Sequence, residues 1–138
     1  MKLQQQLAMA SFIARNLDRK FAWGKLDCNL FFVELHDYVY GTRDRLRMTD
    51  KYDSAKTAFR FYRDFGVTGT QWMRLKGYEE ILAHEVREGD VAVETTKLYA
   101  VPFVFHNGSF WTLVEGAQLA NYTAQAVAKA AGSYWRKI

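Results

Sequence analysis

The sequence predicts an α+β domain in which helices come first and a small antiparallel sheet follows. Apolar residues recur at helical spacing in the first half of the chain. After Gly89-Asp90 the apolar residues alternate with their neighbours, as in a strand. The pair Asn107-Gly108 lies between two β-rich runs, which is the strongest short signal for a hairpin.

The composition is that of an ordinary folded protein. Hydrophobic residues make up 49% of the chain and charged residues 25%, which excludes a disordered chain. A length of 138 residues is typical of one domain. We therefore expect a single domain over 1–138, with a helical half over about 1–88 and a sheet with a short C-terminal helix over about 89–138.

Several classes of protein and of site are excluded. The single cysteine excludes an internal disulfide framework and a zinc site built from several cysteines. No apolar run approaches the ~20 residues of a membrane span, and the first residues lack a signal-peptide core. We therefore expect a protein made in a cytoplasm, with no membrane span. No second histidine lies three or four residues from His84, so we expect neither a metal nor a cofactor.

Two helices are expected to open the chain. Apolar residues spaced by four, three, four and three positions predict one face of the first helix. That face comprises Leu3, Leu7, Ala10, Ala14 and Leu17. The helix should end near Arg19-Lys20, because cations suit a helix C-terminus. Asp27 is a good N-cap for the second helix, and Gly41 is placed to end it. Its inner face comprises Cys28, Phe31, Phe32, Leu35 and Val39.

The rest of the helical half is less regular. A charged loop is expected over 42–52, followed by a third helix from Ser54 to about Phe65 that Gly66 ends. One or two short helices are expected in the next stretch, around Gln71–Leu75 and Tyr78–Ala83.

The second half predicts three strands. The first begins at Val91, and the runs Tyr99–Phe105 and Phe110–Val114 flank the hairpin turn. A final amphipathic segment over Leu119–Ala130 is expected to form the short C-terminal helix, and the chain ends after it at Ile138.

Cys28 is the candidate catalytic residue. It lies directly after the expected N-cap of the second helix, where free backbone N–H groups and the helix dipole favour a thiolate. A thiolate in such a position can act as a nucleophile. The alternative is that Cys28 is a small buried hydrophobe, as free cysteines usually are.

Three short blocks carry a resemblance to a known family. They are Trp23-Gly24-Lys25-Leu26-Asp27-Cys28, Gly89-Asp90-Val91 and the terminal Trp135-Arg136-Lys137-Ile138. With these blocks, the chain resembles the NlpC-type cell-wall peptidases, which are compact papain-like cysteine hydrolases of peptidoglycan stem peptides. More closely, over roughly residues 20–138, it resembles a small family of phage and prophage proteins related to them. That family shares a W-G-x-x-D-C block, a G-D-V block and a short C-terminal helix that ends in W-R and an aliphatic residue.

The resemblance implies a set of site residues. The peptidase nucleophile corresponds to Cys28, the aspartate before it to Asp27, and the Gly-Asp that opens the first strand to Gly89 and Asp90. The general-base histidine corresponds to Ala100, so the base is missing. A thiol hydrolase without a base loses most of its rate.

The chain has three histidines that could replace the missing base. His36 lies eight residues after Cys28 on the same expected helix, ~12 Å along its axis, which is too far. His106 lies in the hairpin turn, one strand length from Ala100. His84 is the remaining candidate, and the alternative for it is an ordinary surface histidine.

The resemblance implies a phage tail or tail-tip protein with a structural or assembly role, on a peptidase scaffold that has lost its activity. Its partners would then be other phage tail proteins, and its location the virion tail. The alternative is an active cysteine endopeptidase or amidase that opens peptidoglycan during phage entry. In that case the base would come from His84, His106 or a neighbouring subunit.

A basic loop from Arg43 to Lys51 raises the question of nucleic-acid binding. Acidic residues are mixed into the loop and it holds no aromatic residue for stacking, so a solvated loop is the favoured interpretation. We therefore do not expect nucleic acid among the partners. Arg60 and Arg63 share one face of the third helix, which we interpret as a solvated or partner-facing edge.

Overall fold

The computed structural model describes residues 1–64, 69–95 and 100–138, and it confirms an α+β fold. The α-helices are α1 (Leu3–Arg15), α2 (Cys28–Tyr40), α3 (Ala55–Asp64), α4 (Gly69–Leu75) and α5 (Ala124–Ala128). The strands are β1 (Tyr78–Ile81), β2 (Val91–Thr95), β3 (Ala100–His106), β4 (Ser109–Leu113), β5 (Leu119–Tyr122) and β6 (Ser133–Lys137). Short 3₁₀ segments lie at Asp44–Arg47 and Ala83–Glu85. No helix within the described ranges is long and apolar enough to cross a membrane.

The strands form one six-stranded antiparallel sheet in the order β1-β6-β2-β3-β4-β5. The C-terminal strand β6 lies inside the sheet, where Lys137 pairs with Tyr78 of β1 and Trp135 pairs with Val91 of β2. The side chain of Trp135 is fully buried. The C-terminal strand therefore contributes Trp135 to the core.

The hairpin predicted at Asn107-Gly108 is confirmed. Both residues have positive φ, 52° and 82°, as a two-residue hairpin turn requires. The flanking residues His106 and Ser109 pair across the turn and join β3 to β4.

Helix α2 is the central helix of the fold, and its predicted ends are confirmed. Asp27 caps its N-terminus, and Gly41 ends it in the left-handed conformation. The buried residues of α2 are Cys28, Leu30, Phe31, Phe32, Val33, Leu35 and His36. The apolar ones from Leu30 to Leu35 belong to three different hydrophobic clusters. Helix α2 therefore buries more of its surface than the single face that the sequence predicts. The reason is that α1, the sheet and the segment over 48–62 all pack against α2.

The predicted inner face of α1 is wrong. Leu3 and Leu7 are 68% and 62% exposed, whereas Met9, Phe12 and Ile13 are buried. The helix carries apolar residues on two faces. The face with phenylalanine and isoleucine removes more apolar area from water than one with two alanines, and it is the one that packs against α2.

Two segments predicted as helices are strands. Tyr78–Ile81 forms β1, and the W-R end of the chain, which the resemblance places on a short C-terminal helix, forms β6. Of the amphipathic segment Leu119–Ala130, only Ala124–Ala128 is helical, since Leu119–Tyr122 forms β5. β1 and β6 pair with each other although they lie far apart in the chain, which a local sequence pattern does not reveal. β5 pairs with β4, the strand directly before it, so its partner is local.

Several predicted boundaries also shift. α1 ends at Arg15 rather than near Arg19-Lys20, and α3 begins at Ala55. The expected end of the third helix, at Phe65 and Gly66, lies outside the described residues, as does Tyr99.

Candidate functional site

A tight turn brings the chain into α2. Gly24 in this turn has φ of 76°, and a Cβ there would lie 1.7 Å from the carbonyl oxygen of Tyr52. Glycine is therefore required where these two segments meet. The indole N–H of Trp23 donates to Oε1 of Glu115 at 3.0 Å. The Trp-Gly pair thus ties the entry of α2 to the end of β4.

The carboxylate of Asp27 is buried at the N-terminus of α2, with 1% exposure. Its Oδ1 accepts from the N–H of Leu30 at 2.9 Å, which confirms the predicted N-cap. Its Oδ2 accepts from the N–H of Gly24 at 3.2 Å and from the hydroxyl of Tyr52 at 2.5 Å. The Tyr52 hydroxyl also lies 2.7 Å from that of Tyr62. Burial raises the pKa of Asp27, and its hydrogen bonds act in the opposite direction. Asp27 therefore closes the turn and caps the helix.

Cys28 follows in the first turn of α2 and is 5% exposed. Its sulfur accepts a long contact from Nδ2 of Asn29 at 3.8 Å. Burial raises the pKa of the Cys28 thiol well above its ordinary range, and the neighbouring Asp27 carboxylate raises it further. The thiol is therefore protonated at neutral pH, despite the helix N-terminus on which it lies.

A cavity of about 350 Å³ lies beside Cys28, between α5 and the strands β2 to β5. We call it the Cys28 cavity; its lining residues are Phe21, Cys28, Glu94, Val101, Phe103, Thr112, Leu113, Val114, Glu115, Tyr122, Ala126, Val127 and Ala130. Most of this wall is apolar, and Glu94 and Glu115 bring carboxylates to it. The hydroxyl oxygen of Thr112 is buried and has no hydrogen-bond partner among the described residues. The cavity can therefore receive an apolar group and, at its carboxylates, a cation or an N–H donor.

The three histidines lie elsewhere, and among the described residues that line the Cys28 cavity none is a histidine. His36 is buried, with Nδ1 2.9 Å from the Tyr78 hydroxyl. Burial lowers the pKa of His36 to about 4. Nδ1 of His106 lies 2.6 Å from Oε2 of Glu88, and His84 is exposed in a 3₁₀ segment.

The position that the resemblance assigns to the base is filled by apolar packing. Ala100, at the start of β3, packs against the cluster that contains Phe32 and Trp135. Helix α4 approaches so closely that a Cβ at Gly69 would lie 2.5 Å from the Cβ of Ala100. The fold thus leaves no open space around this residue on the side of α4.

The second and third sequence blocks meet in an ion pair between the buried carboxylate of Asp90 and the partly exposed guanidinium of Arg136, which the sequence analysis missed. Asp90, at the start of β2, is buried, and its Oδ2 accepts from Nη2 of Arg136 on β6 at 2.8 Å. Oδ1 accepts from Nε of Arg136 at 3.1 Å, and Oδ2 also accepts from the N–H of Arg87 at 2.9 Å. Arg136 further donates to the carbonyl of Glu85 at 2.6 Å. The opposite charges of the G-D and W-R blocks were the signal that could have predicted this pair.

The described part of the chain contains no set of side chains that could ligate a metal ion. Within residues 1–64, 69–95 and 100–138, no group of three or more His, Cys, Asp or Glu side chains could hold a metal ion.

The sequence matches the model of a family described as "Domain of unknown function (DUF6950)" over residues 1–133. The matched region includes Cys28 and Asp90 and ends at the first residue of β6, before Arg136. Among curated proteins, none matches the chain.

Proposed function

The chain belongs to the DUF6950 family, and we propose that it is a structural or assembly protein of a phage tail or tail tip. In this proposal the fold is a papain-like, NlpC-type scaffold without peptidase activity. The observation that carries the proposal is the state of Cys28. Its thiol is buried and protonated, at a cavity to which no described histidine contributes.

The chemistry of thiol hydrolases supports the loss of activity. The nucleophile is the thiolate, and a general base holds it and later protonates the leaving amine. Here burial and the Asp27 carboxylate both favour the neutral thiol. Ala100 is packed against apolar side chains and offers no base.

The residues of the sequence blocks make structural contacts that account for their presence without a catalytic role. Gly24 permits the close approach of the Tyr52 segment, and Asp27 caps α2. Asp90 and Arg136 connect β2 to β6. These contacts stabilise the fold, so the blocks can persist in a protein that does not cut peptide bonds.

Two further features support the proposed scaffold and the proposed partners. The helix that begins with Cys28 packs against an antiparallel sheet, which is the arrangement that the resemblance to NlpC-type peptidases implies. An assembly protein also needs surfaces for its neighbours. The outer side of α1 exposes Leu3 and Leu7, which supports contacts with other tail proteins.

One observation favours the alternative, an active cysteine endopeptidase or amidase that acts on peptidoglycan. Cys28 lines a cavity of about 350 Å³ at a helix N-terminus, so a ligand bound there would lie beside the sulfur. A neighbouring subunit would then have to supply the base.

Alkylation of Cys28 separates the two functions. We expect iodoacetamide to leave the thiol of the native protein unmodified from about pH 6 to pH 8 and to modify it rapidly in urea at pH 8, where an exposed thiol is partly ionised. His84→Ala and His106→Ala should behave like the wild type. Rapid alkylation at pH 6 that one histidine substitution slows would instead indicate a thiolate–imidazole pair and would overturn the proposal.

Genetic complementation tests the assembly role. In a phage that encodes this chain, deletion of the gene should remove complete tails from particles seen by electron microscopy. A copy with Cys28→Ala should restore infectious particles, because the proposal gives the thiol no chemistry. Particles with normal tails after deletion would contradict the assembly role. Tails restored by Cys28→Ala that do not infect would instead show that the thiol has a chemical function, which would favour the enzyme.

A further inference from the structure

The net charge of the protein is concentrated in one segment. Residues 43–63 contain seven Lys or Arg and three Asp, a net charge of +4. The remainder of the chain contains twelve basic and twelve acidic residues, so its net charge is zero. The whole formal charge of +4 therefore comes from this segment.

Each acidic residue of the segment has an ion-pair or hydrogen-bond partner. Asp44 accepts from Nζ of Lys76 at 2.7 Å, and Asp50 pairs with Lys25. Both lysines lie outside the segment. Glu34 and Asp64, which pair with Arg45 and Arg63, also lie outside it, so the charges that these four partners add cancel. Asp53 accepts from the hydroxyl of Thr57 at 3.2 Å.

Most cations of the segment, by contrast, face solvent without an acidic partner. We define the α3 basic surface as the exposed residues Arg43, Arg47, Lys51, Lys56, Arg60 and Arg63. Arg63 pairs with Asp64 at 3.0 Å. For the other five, no carboxylate of a described residue lies within salt-bridge distance.

The packing of the segment turns these cations to one side of the molecule. Its buried residues Met48, Tyr52 and Ala58 form one cluster with Leu30 and Val33 of α2. Because the apolar side of the segment faces α2, its exposed side chains project away from α2.

Three of these cations lie on the outer face of α3. Lys56, Arg60 and Arg63 are spaced by four and three residues, which places them on one face of the helix. Their steps along the axis are about 6 Å and about 4.5 Å. The helix therefore presents a row of cations on its outer face.

Against the expectation from the sequence of the loop alone, we propose that the α3 basic surface binds the phosphate backbone of duplex nucleic acid. Duplex DNA carries one negative charge per ~1.7 Å of axis, a density that a row of cations matches. Four of the six residues are arginines, whose planar guanidinium groups fit phosphate oxygens in pairs. This inference does not depend on the proposed tail function.

Two observations favour a duplex backbone over other polyanions. The aromatic residues of α3, Phe59, Phe61 and Tyr62, are half-buried, so they offer no open platform for stacking unpaired bases. Within residues 43–63, Leu46 is the large apolar side chain that is exposed. One leucine makes a poor apolar core for a protein interface, whereas nucleic-acid interfaces are polar and basic.

The test is the salt dependence of binding to a labelled DNA duplex of about 20 base pairs, measured by fluorescence anisotropy. Five phosphate contacts give a slope of about −4.5 for log K against log salt, or about 500-fold weaker binding at 200 mM than at 50 mM NaCl. The triple variant Arg47→Gln/Lys56→Gln/Arg60→Gln keeps two of the five, so we expect a loss of about 12-fold over that range. A control variant of equal charge carries Lys20→Gln, Arg87→Gln and Lys129→Gln and should keep the wild-type slope.

Three results would overturn the proposal. The first is absence of binding by the wild-type protein at 50 mM NaCl, and the second is an equal loss in both triple variants, which would indicate net charge alone. The third is competition by polyglutamate of equal charge as effective as that by unlabelled DNA, which would indicate an acidic protein as the partner. All substituted residues are exposed, and circular dichroism verifies that both variants remain folded.

Discussion

Acidification should destabilise the protein through His36. The imidazole is 1% exposed, and its Nδ1 lies 2.9 Å from the Tyr78 hydroxyl. Rings of Phe32, Tyr40 and Trp72 surround it. Burial lowers the pKa of His36 from an ordinary 6.5 to about 4, although the nearby carboxylates of α2 and the 3₁₀ segment act in the opposite direction. The folded state therefore holds His36 neutral at a pH where the unfolded chain is already protonated.

The sign and size of the effect follow from this difference. Because the pKa is lower in the folded state, the stabilisation is fully present above about pH 6.5 and is lost as the pH falls through 4. One pKa unit corresponds to ~1.36 kcal/mol. We therefore expect His36 to remove about 3 kcal/mol of unfolding free energy between pH 7 and pH 4. That is a large part of the ~5–15 kcal/mol that stabilises a typical domain.

Urea denaturation followed by tryptophan fluorescence at pH 7, 6, 5 and 4 measures this effect. The raised pKa of Asp27 acts in the opposite direction, because a carboxyl that prefers the protonated state in the fold gains stability on acidification. The difference between wild type and variant removes that contribution. We expect His36→Gln to lose about 3 kcal/mol less than the wild type from pH 7 to pH 4, and exposed His84→Gln to follow the wild type. Parallel pH curves for wild type and His36→Gln would refute the reasoning.

Two further substitutions test the contacts of the sequence blocks by the same denaturation assay. Asp90→Asn removes the buried carboxylate that accepts from Arg136, so we expect a loss of about 1.5–3 kcal/mol. Glu80→Gln, at an exposed ion pair, should lose under ~1 kcal/mol, and equal losses would contradict the importance of the Asp90–Arg136 pair. Gly24→Ala forces a Cβ into a backbone carbonyl, whereas Gly41→Ala meets nothing within 4 Å at a similar positive φ. We expect ~1–2 kcal/mol for the change at Gly41 and a larger loss at Gly24, and a smaller loss at Gly24 would disprove the steric argument.

The sequence predicts elements well where the determining contacts are local. Asp27 caps α2 through the N–H of Leu30, three residues away, and the hairpin at Asn107-Gly108 depends on the conformation of its own two residues. β1 and β6 were missed because they are neighbours in the sheet but lie far apart in the chain. A run such as Ser133–Lys137 has no helical or strand preference strong enough to reveal its partners, and it becomes a strand because β1 and β2 lie on either side.

The candidate site, too, could be predicted from the sequence only where local contacts determine it. The position of Cys28 at a helix N-terminus follows from local sequence, but its thiol chemistry does not. The helix end would lower the pKa of an exposed thiol, whereas the sheet and α5 bury this one and raise its pKa. The wall of the Cys28 cavity comes largely from residues 94–130, which no motif near Cys28 predicts. Catalysis with a base from a neighbour would therefore need more than an imidazole. The neighbour would also have to reach the sulfur through the Cys28 cavity, because Cys28 is only 5% exposed.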